Sequence, residues 1–155
     1  MARALDTQTR DFQSVMVGLL KLYQFRDRNE TVAYGLSVSQ AYALRSLAEQ
    51  GALPMSVLAD DLNLTVSTTT RLVDSLAERS LLRRAQSAQD RRVWRVSLTA
   101  KGERLWGRLE DELLANDAKV LSTLSSAERE TVIRTMALLA KATEEWRRKK
   151  ADEAS

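Results

Sequence analysis

Between Pro54 and Gly102 the spacing of apolar residues changes from the period of a helix to the period of a strand, and few small folds accommodate that change in so short a stretch. Leu58, Ala59 and Leu62 fit the inward face of a short helix that Pro54 starts. Asn63 suits the left-handed residue that ends it, and Leu64 plugs the turn. A second helix from 65 or 66 to 79 then places Thr69, Leu72, Val73 and Leu76 on one side. From Leu81 the period is 2: a short strand to Arg84, a polar loop, and a strand in which Trp94, Val96 and Leu98 alternate with Val93, Arg95 and Ser97. Helix, tight turn, helix and basic β-hairpin, in that order, predict a winged helix-turn-helix.

The flanks read as long helices. Residues 6–29 carry Phe12, Val15, Met16, Leu19, Tyr23 and Arg26 on one face, widened by Leu20, Leu22 and Phe25. RDRNETVAYG reads as a polar connection to the next helix, for which Ser37 and Gln40 form a capping box and Gly51 a left-handed C-cap. Ala41, Leu44, Leu47 and Ala48 are its expected buried face. Thr99 caps a fifth helix reaching Ser122, lined by Leu105, Leu109, Leu113, Val120 and Leu121. Ser125 and Glu128 form a second capping box, opening a helix whose Val132, Met136, Leu139, Thr143 and Trp146 keep the 3.5-residue rhythm of lengthwise packing. One Pro, five Gly and 5% aromatic residues agree with a mainly α chain. The expected architecture is six helices with a small β-hairpin wing: a single domain over 1–155, with 6–30 and 100–148 as dimerisation helices and 37–99 as a DNA-binding lobe.

Composition narrows the chemistry. The chain has no Cys and no His, which removes the thiolate nucleophile and redox sensor together with the commonest general base and metal ligand. The pairs Asp60–Asp61 and Asp111–Glu112 are neighbours on helices and do not face each other. No catalytic residue, metal site or cofactor is therefore expected. The longest apolar run is too short to span a bilayer, and the N-terminal residues lack the apolar stretch of a signal peptide, so a cytoplasmic protein without a membrane partner is expected. Net charge is only +3, yet six arginines against one acid fall between Arg79 and Arg95. A local patch of that sign suits a polyanion.

Two groups carry the functional reading. Ser67, Thr68, Thr70 and Arg71 stand opposite the apolar side of the second helix. Ser and Thr are poor helix formers, so such a run on an exposed face suggests use of the hydroxyls; Ser and Thr at an ordinary helix start are the plainer alternative. Hydroxyls bond phosphates or base edges, and Arg grips guanine or phosphate. In the hairpin loop, Asp90, Arg91 and Arg92 place cations where a narrow minor groove concentrates negative potential, and an aspartate can orient a guanidinium. Arg84 and Arg95, with Arg83, are candidates for phosphate contact or for plain solvation. The ligand-binding residues are unknown from sequence; Phe12, Tyr23, Tyr42 and Trp106 are weak candidates, more often core or interface.

The run LNLTVSTTTRLVDSLAERSLLRRAQSAQDRRVWRVSLTAKG resembles the recognition helix and wing of the MarR family of bacterial transcription regulators. Asp90 and Arg92 match its Asp-x-Arg wing element, and Leu98, Thr99 and Gly102 its entry to the next helix; Ser80 departs from its usual glycine. The resemblance implies a homodimer with interleaved N- and C-terminal helices, a palindromic double-stranded operator, and repression relieved by a small-molecule effector, anionic and often phenolic. The family's thiol-based oxidation sensing and His-bearing zinc sites are excluded by composition. A winged-helix protein-interaction module without DNA binding is the alternative.

Overall fold

A computed structural model describes residues 2–86 and 93–153, and the chain forms two compact units, Met1–Glu112 and Leu113–Ser155. Helix α1 (Ala2–Ala33) is followed by α2 (Val38–Gln50), β1 (Leu53–Pro54), α3 (Met55–Asp61), α4 (Val66–Glu78), β2 (Leu82–Gln86) and β3 (Trp94–Leu98); α5 (Ala100–Ser122) runs from the first unit into the second, which α6 (Ser126–Glu153) completes. This is the expected mainly helical chain with a small antiparallel sheet. The sheet has three strands in the order β1-β3-β2. The added strand is only Leu53 and Pro54, paired with Val96 and Arg95, and two residues are too few to display a period in the sequence.

The core of the first unit is aliphatic. Leu44, Leu58, Val73, Leu76, Val96 and Leu109 are fully buried, with Leu81, Leu82 and Trp106 nearly so. Apart from Leu81, at the α4–β2 turn, they come from α2, α3, α4, β2, β3 and α5, whose apolar faces the spacing marks, so these elements share one core. The Ser37 box forms as expected: the Gln40 amide donates to Ser37 Oγ, and the Ser37 amide donates to Gln40 Oε1 at 2.9 Å.

Two expectations need correction. The polar run after Arg26 is helical as far as Ala33, because Arg26 lies 4.2 Å over the Tyr23 ring and 3.8 Å from Glu30 one turn on, while Thr31 turns inward at 3% exposure. The true connection begins at Tyr34, where Gly35 takes φ 65° and the Leu36 amide donates to the Thr31 carbonyl. Gly51 has the expected positive φ of 76°, but its ψ of −149° is outside the left-handed helical region, in a region open essentially to glycine alone. Asn63 is left-handed as expected, at φ 52°.

In the second unit, the Leu113–Ser122 part of α5 and helix α6 are joined at Thr123–Ser125. Arg129 Nη1 closes the turn by donating to the Leu121 and Leu124 carbonyls at 3.3 and 2.7 Å. The second capping box is present, with the Ser125 amide donating to Glu128 Oε2 at 2.8 Å. That bond and the one from the Ser125 hydroxyl hold the Glu128 carboxyl below its ordinary range. Of the predicted stripe on α6, Val132 and Leu139 are half-buried, and Met136 and Trp146 are exposed. Among the described residues of this unit none is fully buried.

One glycine is obligatory on steric grounds. A Cβ added at Gly102, in the first turn of α5, would lie 2.2 Å from the Leu81 carbonyl oxygen, so helix and strand base approach through backbone alone. Gly102→Ala gains about 1 kcal/mol of helix propensity, but forcing the segments apart costs about 1–3 kcal/mol or more. The expected outcome is net destabilisation in urea unfolding followed by circular dichroism; an equally stable variant would contradict the close approach.

Candidate nucleic-acid interface

Helix α4 is built by the sequence that precedes it. The Leu62 and Leu64 amides donate to the Leu58 and Ala59 carbonyls, which folds the chain back after α3 and delivers Thr65 as the N-cap. Thr65 Oγ1 accepts from the Thr68 amide at 3.2 Å and shares a hydroxyl–hydroxyl bond with Thr68 at 2.9 Å. Thr69, Val73 and Leu76 are fully buried, and the Thr69 hydroxyl returns its proton to the Thr65 carbonyl. One hydroxyl of the run thus belongs to the core. Ser67, Thr68 and Arg71 are exposed and Thr70 is half-buried, so the predicted four lie together along one side of the helix. Thr70 donates its proton to the Val66 carbonyl at 2.8 Å, which leaves its oxygen as an acceptor. Arg71 makes no hydrogen bond or ion pair among the described residues.

The hairpin register divides the remaining arginines. Leu82, Arg84 and Gln86 oppose Leu98, Val96 and Trp94, and directly opposed residues share a face of the sheet. Because Leu82, Val96 and Leu98 are buried, Arg84 is on the side turned toward α4. Its Nη2 donates to Asp74 Oδ1 at 2.7 Å and to the Thr70 carbonyl at 3.3 Å. Arg83 and Arg95 are on the other face. There Arg83 Nε donates to Ser97 Oγ at 3.1 Å, and half-buried Arg95 has its Nε shielded with no hydrogen-bond partner among the described residues. Asp90, Arg91 and Arg92 lie outside the described residues.

Sequence reading missed the fastening of α4 at its far end. Arg79, its C-cap residue, donates through Nη1 to the Gly35 carbonyl at 2.7 Å and through Nη2 to the Tyr34 carbonyl at 3.2 Å. Lys101 Nζ donates to the Arg79 carbonyl at 2.8 Å, and the Tyr34 hydroxyl to Glu112 Oε2 at 2.8 Å. That bond to a carboxylate holds the Tyr34 phenol above its ordinary range. The end of α4 is thus tied on both sides through one residue, to the α1–α2 connection by the Arg79 guanidinium and to the start of α5 by the Arg79 carbonyl. The only sequence signal was a cation at the C-terminal end of the helix, a place that every helix favours.

The four aromatic ligand candidates have different surroundings. Trp106 is in the core at 6% exposure, while Phe12 and Tyr23 are exposed on α1. Tyr42 lines a groove of about 410 Å³ with Arg45, Glu49, Asp61 and Asn63. Burial, then the nearby Asp27 carboxylate that accepts its hydroxyl at 3.3 Å, raises the Tyr42 phenol.

Removing the Arg79 side chain strips two carbonyls of a charge-assisted donor. Arg79→Ala is expected to lower stability by about 1–2 kcal/mol, read as a lower urea midpoint. A midpoint equal to that of the parent would mean that the tie carries no net free energy.

Among the described residues no helix is long and apolar enough to cross a membrane. The family model for MarR matches residues 36–94, from the start of α2 to the second strand of the hairpin. The chain is similar to the HTH-type transcriptional repressor MdtR of Bacillus subtilis, at 28% identity over 142 residues, covering 92% of each chain. It superposes on a MarR family protein from Bacillus stearothermophilus with a TM-score of 0.84 at 25% identity, covering 90% of this chain and 97% of that one. The YusO protein from Bacillus subtilis gives a TM-score of 0.69 at 28% identity, covering 88% and 97%. A hydroxyl-bearing helix beside a basic hairpin thus lies in a winged helix-turn-helix lobe whose residues 36–94 match the MarR family model, and over most of its length the chain is similar in sequence and fold to MarR family and HTH-type transcriptional regulators.

Proposed function

We propose that this protein is a homodimeric repressor that reads a palindromic duplex, with α4 in the major groove and the hairpin loop on the flanking backbone and minor groove. The observation that carries the reading is the row Ser67, Thr68, Thr70 and Arg71, presented outward on a helix whose opposite side is locked into the core. An outward helix N-terminus carrying short polar groups suits base edges and phosphates. Arg71 has no competing carboxylate among the described residues, so its guanidinium is available to guanine or phosphate. Asp90, Arg91, Arg92 and Arg95 complete the surface on the wing side, with Asp90 orienting the guanidinium of Arg92. Two-fold symmetry of the dimer would match the symmetry of the site.

Dimerisation is supported by apolar surface left without cover. On α1, Val15 is 68% and Leu22 71% exposed; on α6, Leu138 is 68% and Trp146 63% exposed. Burying each such side chain is worth about 1.5–3 kcal/mol, and a monomer exposing both faces would carry apolar patches of the kind that mark interfaces. Residues 6–30 and 100–148 are accordingly read as the dimerisation helices around the 37–99 lobe. Repression is favoured by similarity to a protein named a repressor, and release by a small anionic or phenolic effector by the family resemblance.

The deciding experiment is selection of bound duplexes from random sequence, followed by fluorescence anisotropy on the duplex recovered. A palindrome with half-sites about one helical turn apart is expected. Arg71→Ala and Arg92→Ala should each weaken binding by about 1–3 kcal/mol, and the Arg92 variant should flatten the salt dependence by about one unit of slope. Failure to enrich any duplex, with a protein partner captured instead, would favour the interaction-module reading. Leu22→Lys with Leu138→Lys should shift sedimentation toward the monomer; an unchanged dimer would place the interface elsewhere.

A further inference from the structure

The basic hairpin is not uniformly available to an anion. We propose that Arg84 is a positioning residue, and that its ion pair with Asp74 is a latch fixing the angle between the wing and the helix that reads DNA. This rests on the DNA-binding reading above but concerns a residue that the charge pattern alone assigns to phosphate.

Three observations carry it. The register puts Arg84 on the inward face of β2, in line with buried Leu82, whereas Arg83 is on the outward face. A phosphate-contacting arginine would be expected to point away from the core, and Arg84 points into the gap between strand and helix. Its Nη2 then meets two acceptors one turn apart on α4, Asp74 Oδ1 at 2.7 Å and the Thr70 carbonyl at 3.3 Å. Half-buried Thr70 is also one of the four residues proposed to face DNA, so the guanidinium grips the helix beside that row. Finally, Asp74 is an acid on a helix that must approach a polyanion, where an unpaired carboxylate would be repelled. Paired with Arg84 it is neutralised in place.

The pair is only partly shielded, with side chains 31% and 50% exposed, so it contributes little to global stability. Its effect is directional instead. Strands β2 and β3 are anchored at the Leu82–Leu98 end, and their far end, at Gln86 and Trp94, is exposed. A restraint halfway along β2 limits the swing of that end relative to α4. The ends of β2 and β3 at Gln86 and Trp94 are thereby held at a set angle to α4, and the ordering cost of fixing that angle is met before binding.

The test is a charge swap. The parent, Arg84→Asp, and the double variant Asp74→Arg with Arg84→Asp are compared by thermal unfolding and by anisotropy titration from 20 to 200 mM NaCl (roughly the range in which phosphate contacts are weighed). The probes are a fluorescein-labelled mixed-sequence 30-base-pair duplex (about three helical turns) and the duplex recovered by selection. Arg84→Asp sets two carboxylates together and should lower Tm by about 2–4 °C and weaken binding at least tenfold. With the latch, the swap restores Tm and brings affinity for the selected duplex back to within about threefold, with the parent's salt slope (log Kd against log salt). Recovery of Tm without recovery of affinity, and a slope reduced by about one or more, would mean that Arg84 meets phosphate itself and would overturn the proposal. Recovery of neither would overturn it as well. If the parent bound neither duplex while the swap restored Tm, the pairing would stand and the DNA-binding reading would fall.

Discussion

The backbone of Leu81 is the point on which the lobe depends. Its amide donates to the Leu76 carbonyl at 2.9 Å, which closes the end of α4. Its carbonyl accepts from the Thr99 amide at 3.0 Å and the Thr99 hydroxyl at 3.2 Å, and Gly102 packs against the same oxygen. One peptide unit therefore joins α4, the base of the hairpin and the start of α5. The turn is tight enough to require a left-handed Ser80 at φ 58°, where an L-residue stands against a cost of about 1–2 kcal/mol. The Thr99 hydroxyl also reaches the Ser80 carbonyl at 2.7 Å, so the polar atoms of the strained turn are satisfied.

Around that junction the charges sort by the geometry of the strands and not by their number. The sequence between Arg79 and Arg95 holds six arginines, and read as a sum they form one basic patch. In the folded lobe Arg79 is spent on two carbonyls of the α1–α2 connection, Arg83 on a serine hydroxyl and Arg84 on Asp74. A guanidinium committed to a neutral carbonyl keeps its charge but loses its freedom to move. One committed to a carboxylate also loses most of its field beyond a few ångströms. Among the described residues the arginines free of a carboxylate partner are thus fewer than the composition suggests, and Arg71 on the outward side of α4 is one of them.

Helices α1 and α6 present a different balance. Each is long and regular, and each leaves large apolar side chains exposed, such as Leu22 and Leu138. Arg26, Asp27 and Glu30 on α1 are partly shielded within one protomer, and their pairing continues the helix through a run of polar residues. Uncovered apolar surface of this kind marks a place of interaction.

The sequence by itself determined the elements and their caps. The periods of 3.6 and 2, the Ser37 and Ser125 boxes and Asn63 in the turn are local patterns, and each is stabilised by neighbours within a few residues. It also grouped Ser67, Thr68, Thr70 and Arg71, because one helix face is a matter of spacing. Where it misread, the missing information was local but two-sided: a polar run is compatible with either loop or solvated helix, and Arg26 stacking on Tyr23 tipped it to helix. Only the tertiary structure decided the role of each arginine. Which carbonyl or carboxylate a guanidinium meets depends on the register of β2 against β3 and on the packing of β2 against α4, and those contacts join residues that spacing along the chain does not relate.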